Sequence, residues 1–243
     1  MLNYKDIMKR ILLLSVFTLI VSCKGQKQVH PIGEEPLNLE SFDFNTGIST
    51  LFPEKNKVKT YDNAFEIKAN DSETFMFQKD TTFVFSESRK PIGFEYRQIN
   101  WSSRYSLADF QEYSFQKINL AATMDGKIKI IGAVADGISS ADNNKLLKLL
   151  NTKYGAPKKL NGSWKDGLVI FEWAKKDRII RFVTVRDNEE STLKIEIDPV
   201  KTKIAEGKKN PHLKSYLFVI NPAFKNEVFG KLNTGDFVYL DNE

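Results

Sequence analysis

The sequence predicts an α+β domain, an antiparallel β-meander sheet packed against one main amphipathic helix. Three observations carry this. Short runs with period-two alternation recur from residue 64 to residue 198. The connections between most of them are too short to hold crossover helices, which excludes a doubly wound parallel sheet. One segment, residues 139–155, instead follows helical spacing and carries both end signals. A short helix ending at Ser49 to Phe52, just before Pro53, extends the pattern to two tandem helix-plus-meander units.

The strands come first. In residues 64–69, Phe65 and Ile67 share one face and Glu66 and Lys68 the other. Residues 74–77, 82–85 and 93–98 repeat the alternation, with Phe75/Phe77, Phe83/Phe85 and Phe94/Tyr96 each on a common face. Residues 112–124, Asp125-Gly126 and residues 127–134 read as a hairpin, because Asp-Gly supplies the positive φ of a two-residue turn. Ser139 with Asp142 fits a capping box, and Leu146, Leu147, Leu149, Leu150 and Tyr154 form one apolar stripe. Lys148 and Lys153 suit the negative end of that helix, and Gly155 and Pro157 stop it. Residues 167–174, 178–185 and 192–198 then predict an antiparallel meander with one wet face. Residues 199–213 read as a basic loop or short helix. Residues 215–220 and 236–240 read as short strands, with 223–231 helical between them. The helix ending in Gly155-Ala156-Pro157 before a meander resembles small periplasmic domains of the β-lactamase-inhibitor-protein and SmpA type. That resemblance carries no functional residues across.

The first residues address the chain. Lys5, Lys9 and Arg10 precede twelve residues, Ile11 to Ser22, with the apolar character of a secretory h-region. The run is too short for a spanning helix. Met8 is a second candidate start. Ile20-Val21-Ser22-Cys23 resembles the lipobox of bacterial lipoproteins. The resemblance implies cleavage before Cys23 by signal peptidase II, a diacylglyceryl group on its thiol and acylation of the new amino end. Each buried methylene adds about 0.8 kcal/mol, so two or more chains hold firmly. The composition, rich in Lys, Asn and Phe, resembles that of Bacteroidota proteins. Lys24 in place of Asp, and a Lys24 to Gln28 stretch without acids, imply an outer-membrane lipoprotein facing the periplasm. The expected layout is a signal peptide over 1–22, a lipidated tether over 23–40 and a globular domain over 41–243, with 135 the place for any subdivision. The first 14 or so tether residues span roughly 45–50 Å when extended.

Composition sets further bounds. The chain has 243 residues, one Cys, two His and 18 Phe, with 41% hydrophobic residues. That supports a large core without disulfides, and it excludes a Cys/His zinc site and a Cys-His nucleophilic pair. Loss of Lys5, Asp6, Lys9 and Arg10 with the leader lowers the net charge from +5 to +3. A nucleic-acid partner is not expected at that charge. No phosphate loop, dinucleotide turn or nucleophile elbow is present, and His30 and His212 lie in a tether and a lysine-rich loop. No catalytic residue, cofactor or metal site is expected.

Glu95, Glu112 and Glu172 are the acids set within aromatic strands, of interest because two carboxylates suffice for glycoside hydrolysis. Asp136, Asp142, Asn143 and Asn144 fall together, and helix capping accounts for them. Lys201, Lys203, Lys208, Lys209 and Lys214 form a basic run suited to anionic headgroups. Trp101 lies among Arg97, Arg104 and Tyr105. Aromatics interleaved with arginine recruit flat apolar surfaces with polar edges, so these four are the candidate binding residues. The expected function is a non-enzymatic envelope lipoprotein, anchored to membrane through lipid, whose domain binds an envelope protein. A narrower version is an inhibitor or immunity lipoprotein. The alternative is a carboxylate-based glycan hydrolase or glycan-binding module.

Overall fold

Period-two alternation becomes a nine-stranded antiparallel sheet in the computed structural model. The structure describes residues 29–61, 63–70, 73–83, 90–100, 105–164, 167–187, 193–197, 202–206, 211–232 and 234–242. In chain order the elements are β1 (Leu37–Asn38), α1 (Ile48–Leu51), β2 (Ala64–Asn70), β3 (Glu73–Phe83), β4 (Pro91–Gln98), β5 (Ala108–Phe110), β6 (Tyr113–Phe115), β7 (Lys117–Ala122) and β8 (Ile128–Ile138). Then come α2 (Ser140–Tyr154), β9 (Lys158–Asn161), β10 (Val169–Ala174), β11 (Ile179–Asp187), β12 (Leu193–Ile197), β13 (Thr202–Glu206), β14 (His212–Ile220) and α3 (Lys225–Val228). The strand order is β2-β3-β4-β7-β8-β14-β11-β10-β9. The class is α+β, as the sequence predicts.

The order also repeats. A helix, α1, precedes β2-β3-β4-β7, and a helix, α2, precedes β9-β10-β11-β14. Each set is a meander interrupted once, before its last strand, by a hairpin that leaves the sheet. In the first set β5 and β6 leave and pair with each other, β5 also pairing with β1, and in the second β12 and β13 pair with each other. β8 joins the halves, pairing with β7 on one side and β14 on the other.

The alternating residues sort onto two faces. On the inner face Phe65, Ile67, Phe75, Phe77, Tyr96, Leu120, Ile131, Phe182 and Leu217 form one core spanning both halves. The helices cover it. Phe52, just after α1, stacks on Tyr96 at 4.7 Å and meets Phe77 edge-on at 5.0 Å. Ser139 caps α2 by accepting from the Asp142 N–H at 3.1 Å, and Leu146 and Leu150 are fully buried beneath it. On the outer face Ile130, Val183, Phe218 and Ile220 pack against Val228, Leu232, Phe237 and Leu240 of the C-terminal segment.

Two buried cations fasten that segment. Arg181 donates to Glu172 at 2.8 Å, to the Leu240 carbonyl and to Asn242 at 3.0 Å, and lies 3.7 Å over the Phe229 ring. Lys129, 1% exposed, pairs with Glu227 at 2.7 Å and donates to the Ile92 carbonyl at 2.5 Å.

Several expectations are corrected. Residues 112–124 do not form one strand, because 113–115 pair with β5 and only 117–122 enter the sheet. The turn runs from Thr123 to Lys127, with Gly126 at φ 87°, and is longer than two residues. The run 192–198 does not extend the meander, since β12 pairs with β13, and this also gives part of the basic stretch strand structure. Residues 236–240 are 3-10 helix rather than strand, because Phe237 and Leu240 both point into the outer core. The second half of the expected tether is seated in the fold: Ile32, Leu37 and Leu39 are buried. Arg178 binds the carbonyls of Leu39, Glu40 and Phe42, and Lys153 binds Glu40. Three apolar side chains at 32, 37 and 39 were enough to turn a polar, proline-bearing stretch into packed structure.

Candidate functional site

The outer face is only half covered, and its open end holds a cleft. The cleft begins where β4 and β7 stop sharing backbone hydrogen bonds. Their ladder runs from Phe94↔Ala122 to Arg97↔Asn119. At the next position side chains take over. The Gln98 N–H donates to Asn119 Oδ1 at 3.0 Å, and the Ile118 N–H donates to Gln98 Oε1 at 3.0 Å. These exchanges satisfy buried backbone groups while the strands part. Asn100 stitches the β4 side to β3, donating to the Thr74 carbonyl at 2.8 Å. Ile99 is left 55% exposed.

The resulting cavity is about 290 Å³. Lys117 from β7, Asp136 from β8, Lys214 and Tyr216 from β14 and Asp236 from the C-terminal segment line it. Its charges are internally paired. Lys117 Nζ lies 2.7 Å from Asp236, which also accepts from Asn119. Lys214 Nζ lies 3.3 Å from Asp136 and also pairs with Asp187. His212 Nε2 lies 2.8 Å from Asp136. Burial draws the Lys214 ammonium down, but the carboxylates of Asp187 and Asp136 outweigh it and hold its pKa above the ordinary lysine value. Burial pushes the Tyr216 phenol far up, with Asp236 and Tyr239 adding to the rise. Tyr216 therefore offers the cleft a neutral phenol wall, packed at 4.5 Å on Tyr239.

Glu95 sits beside this cleft on β4, 5% exposed. Burial raises its pKa. The Thr234 hydroxyl, donating to Oε2 at 2.6 Å, and Arg97 oppose the rise, while Asp80 and Asp236 reinforce it. Its Oε1 has no hydrogen-bond partner among the described residues.

The sequence-selected residues are not one cluster. Cys23, Trp101 and Arg104 lie outside the described residues. Arg97 is on the outer face, paired with Asp80 at 2.9 Å. Tyr105 is on the opposite side, against Phe75 at 5.7 Å, with its hydroxyl donating to the Gly33 carbonyl at 3.0 Å. Arg97 and Tyr105 therefore do not share a surface, and Tyr105 fastens the N-terminal segment. Glu172 is bound by Arg181 at 2.6 Å, which makes it part of a clamp. Glu112 is exposed beside Lys145, and a backbone hydrogen bond, with that lysine, holds its pKa below the usual range. Asp142 donates its N–H to the Ser139 cap and its carboxylate accepts from the Ser139 hydroxyl at 2.6 Å, and Asn143 Oδ1 accepts from Thr184 and Ser215, both at 2.7 Å.

Sequence reasoning missed Lys117, Asn119 and Asp236. The available signal was the pair of polar residues Lys117 and Asn119 at the head of an otherwise apolar strand. The partner, Asp236, lies 117 residues from Asn119 and gives no local sign. No group of three His, Cys, Asp or Glu among the described residues is arranged to hold a metal. Among them, no helix is long and apolar enough to cross a membrane. No family model, no curated protein and no solved structure matches the chain.

Proposed function

We propose that the protein is a membrane-anchored lipoprotein of the cell envelope whose domain binds another protein, without catalysis, through the outer-face cleft. The single supporting observation for binding is the cleft itself. An exposed aliphatic side chain, Ile99, lines the cleft with two preformed Lys-Asp pairs, Lys117–Asp236 and Lys214–Asp136. An apolar contact flanked by fixed charges of both signs is the anatomy of a protein interface, where charges set register and reject wrong partners. Asp136 and Asp236 are both engaged by lysines, so they serve as hydrogen-bond acceptors rather than as an acid and base facing a sugar. The anchor rests on the lipobox at Ile20 to Cys23, and periplasm-facing outer membrane is the location that Lys24 supports.

The test is photo-crosslinking in the native envelope. A crosslinker replaces Ile99 at the cleft or, as a control, Met124 on the distant β7–β8 turn. A discrete protein adduct from position 99 alone, abolished by Lys117→Glu, supports the reading. Adducts that are alike at both positions, or retention of a glycan with no protein adduct, move the assignment to the glycan alternative. Labelled palmitate incorporation, lost in Cys23→Ser, tests the anchor separately.

A further inference from the structure

We propose that the β2 edge of the domain lies against the headgroups of an anionic bilayer, an inference that rests on the lipidation of Cys23 proposed above. A length carries it first. The chain enters the fold at Val29, which packs on the inner core, and Ile32 follows fully seated, its N–H donating to the Leu51 carbonyl at 3.2 Å. Only five residues separate Val29 from Cys23, six steps that even extended reach about 20 Å. The opposite edge, β9, stands eight strand spacings from β2, or about 38 Å. A leash that short, joined beside β2, turns that edge to the lipid.

Charge points the same way. Lys55, Lys57 and Lys59 follow α1 and share one basin with Pro31 and with Lys68 of β2. Lys57 and Lys68 stand 3.9 and 4.0 Å from Glu54 and Glu66, the outer limit of an ion pair. Lys55 and Lys59 hold no ion pair among the described residues. Lys24 and Lys27 follow Cys23 in the sequence, and no acid occurs between Cys23 and Glu34. These six lysines outnumber the five carboxylates of the same stretches, Glu34, Glu35, Glu54, Asp62 and Glu66. Tyr61, 65% exposed, adds the amphipathic aromatic favoured at a headgroup layer. By contrast, Lys214 of the basic run 201–214 is spent on Asp136 and Asp187 in the cleft.

The experiment is lysine acetylation at low conversion on the full lipidated protein, read by mass spectrometry. The protein is reconstituted in vesicles of phosphatidylglycerol with phosphatidylethanolamine, and separately in phosphatidylcholine. The expected result is roughly fivefold protection of Lys55, Lys59 and Lys68 in the anionic vesicles only, the factor that one lysine gains near such a surface. Lys158 and Lys159 on β9 stay reactive throughout. Equal reactivity of both edges in the anionic vesicles, with the lipid present on Cys23, overturns the proposal and leaves the anchor standing. A mass showing no lipid on Cys23 overturns both.

Discussion

Removing the guanidinium of Arg181 tests whether the C-terminal segment is clamped to the sheet. The side chain is 4% exposed and its partner Glu172 15% exposed, so this pair is shielded from water. Arg181→Met strands the Glu172 carboxylate, leaves the Leu240 carbonyl without its donor and removes the cation over Phe229. Breaking one side of a buried pair costs about 3–5 kcal/mol. In a domain of this size that lowers Tm by about 10 °C. Glu172→Leu added to Arg181→Met removes the stranded charge, so the double variant recovers about 2 kcal/mol of the loss. Urea unfolding followed by tryptophan fluorescence measures all three, with Trp173 buried on the same strand as Glu172. A loss below about 1 kcal/mol for Arg181→Met, set against the buried-pair cost, refutes the clamp. So does a double variant whose cost is the sum of the two singles.

Leu150, fully buried under α2, is expected to cost about 2–5 kcal/mol as Leu150→Ala, measured by urea midpoint. Gly93→Ala drives a Cβ onto the Ala122 carbonyl of the neighbouring strand, and its loss is expected to exceed about 1 kcal/mol in the same assay. Glu95 has a raised carboxyl pKa in the fold, so the folded state binds the extra proton. Its stabilising contribution is complete below the unfolded pKa and is lost as pH rises through the folded value. Tm measured across that range is expected to fall with rising pH in the parent and to fall less in Glu95→Gln, and parallel profiles would contradict this.

Much of the architecture was legible because it is local. The Ser139 cap, the leucine stripe and the Gly155 stop are all within one helix, and the strands announced themselves by alternation. Pairing was less legible. Nothing in residues 193–197 says that they pair with 202–206 instead of continuing the meander beside β11, because both choices satisfy the same alternation. The packed run from Ile32 to Leu39 was hidden by its polar neighbours, and its fastening by Arg178 spans more than 130 residues. The cleft was the least legible feature. Its members come from β4, β7, β8, β14 and the C-terminal segment, and each alone looks like an ordinary surface or strand residue. Arg97 and Tyr105 are close in sequence, yet Arg97 pairs with Asp80 on the outer face while Tyr105, past the end of β4, packs on Phe75 at the other side.

The repeated topology explains why the cleft is where it is. Both excursions, β5–β6 and β12–β13, leave the sheet at the same end. The first departs after Gln98 and returns at Lys117, and the second departs after Asp187 and returns at His212. β8 lies between, with Lys117 opposite Val134 and Lys214 opposite Asp136. Around the second excursion the β11–β14 ladder stays closed through Asp187↔His212, so that side supplies charges without opening. Around the first, the Gln98 and Asn119 side chains replace the ladder and the strands part. The cleft is thus a consequence of one half of the repeat closing and the other not. The first excursion is itself held in place, since Ala108, Phe110 and Phe115 of β5 and β6 are buried in the inner core. In the proposed binding mode the fixed Lys-Asp pairs set register and selectivity, and Ile99 supplies the apolar contact.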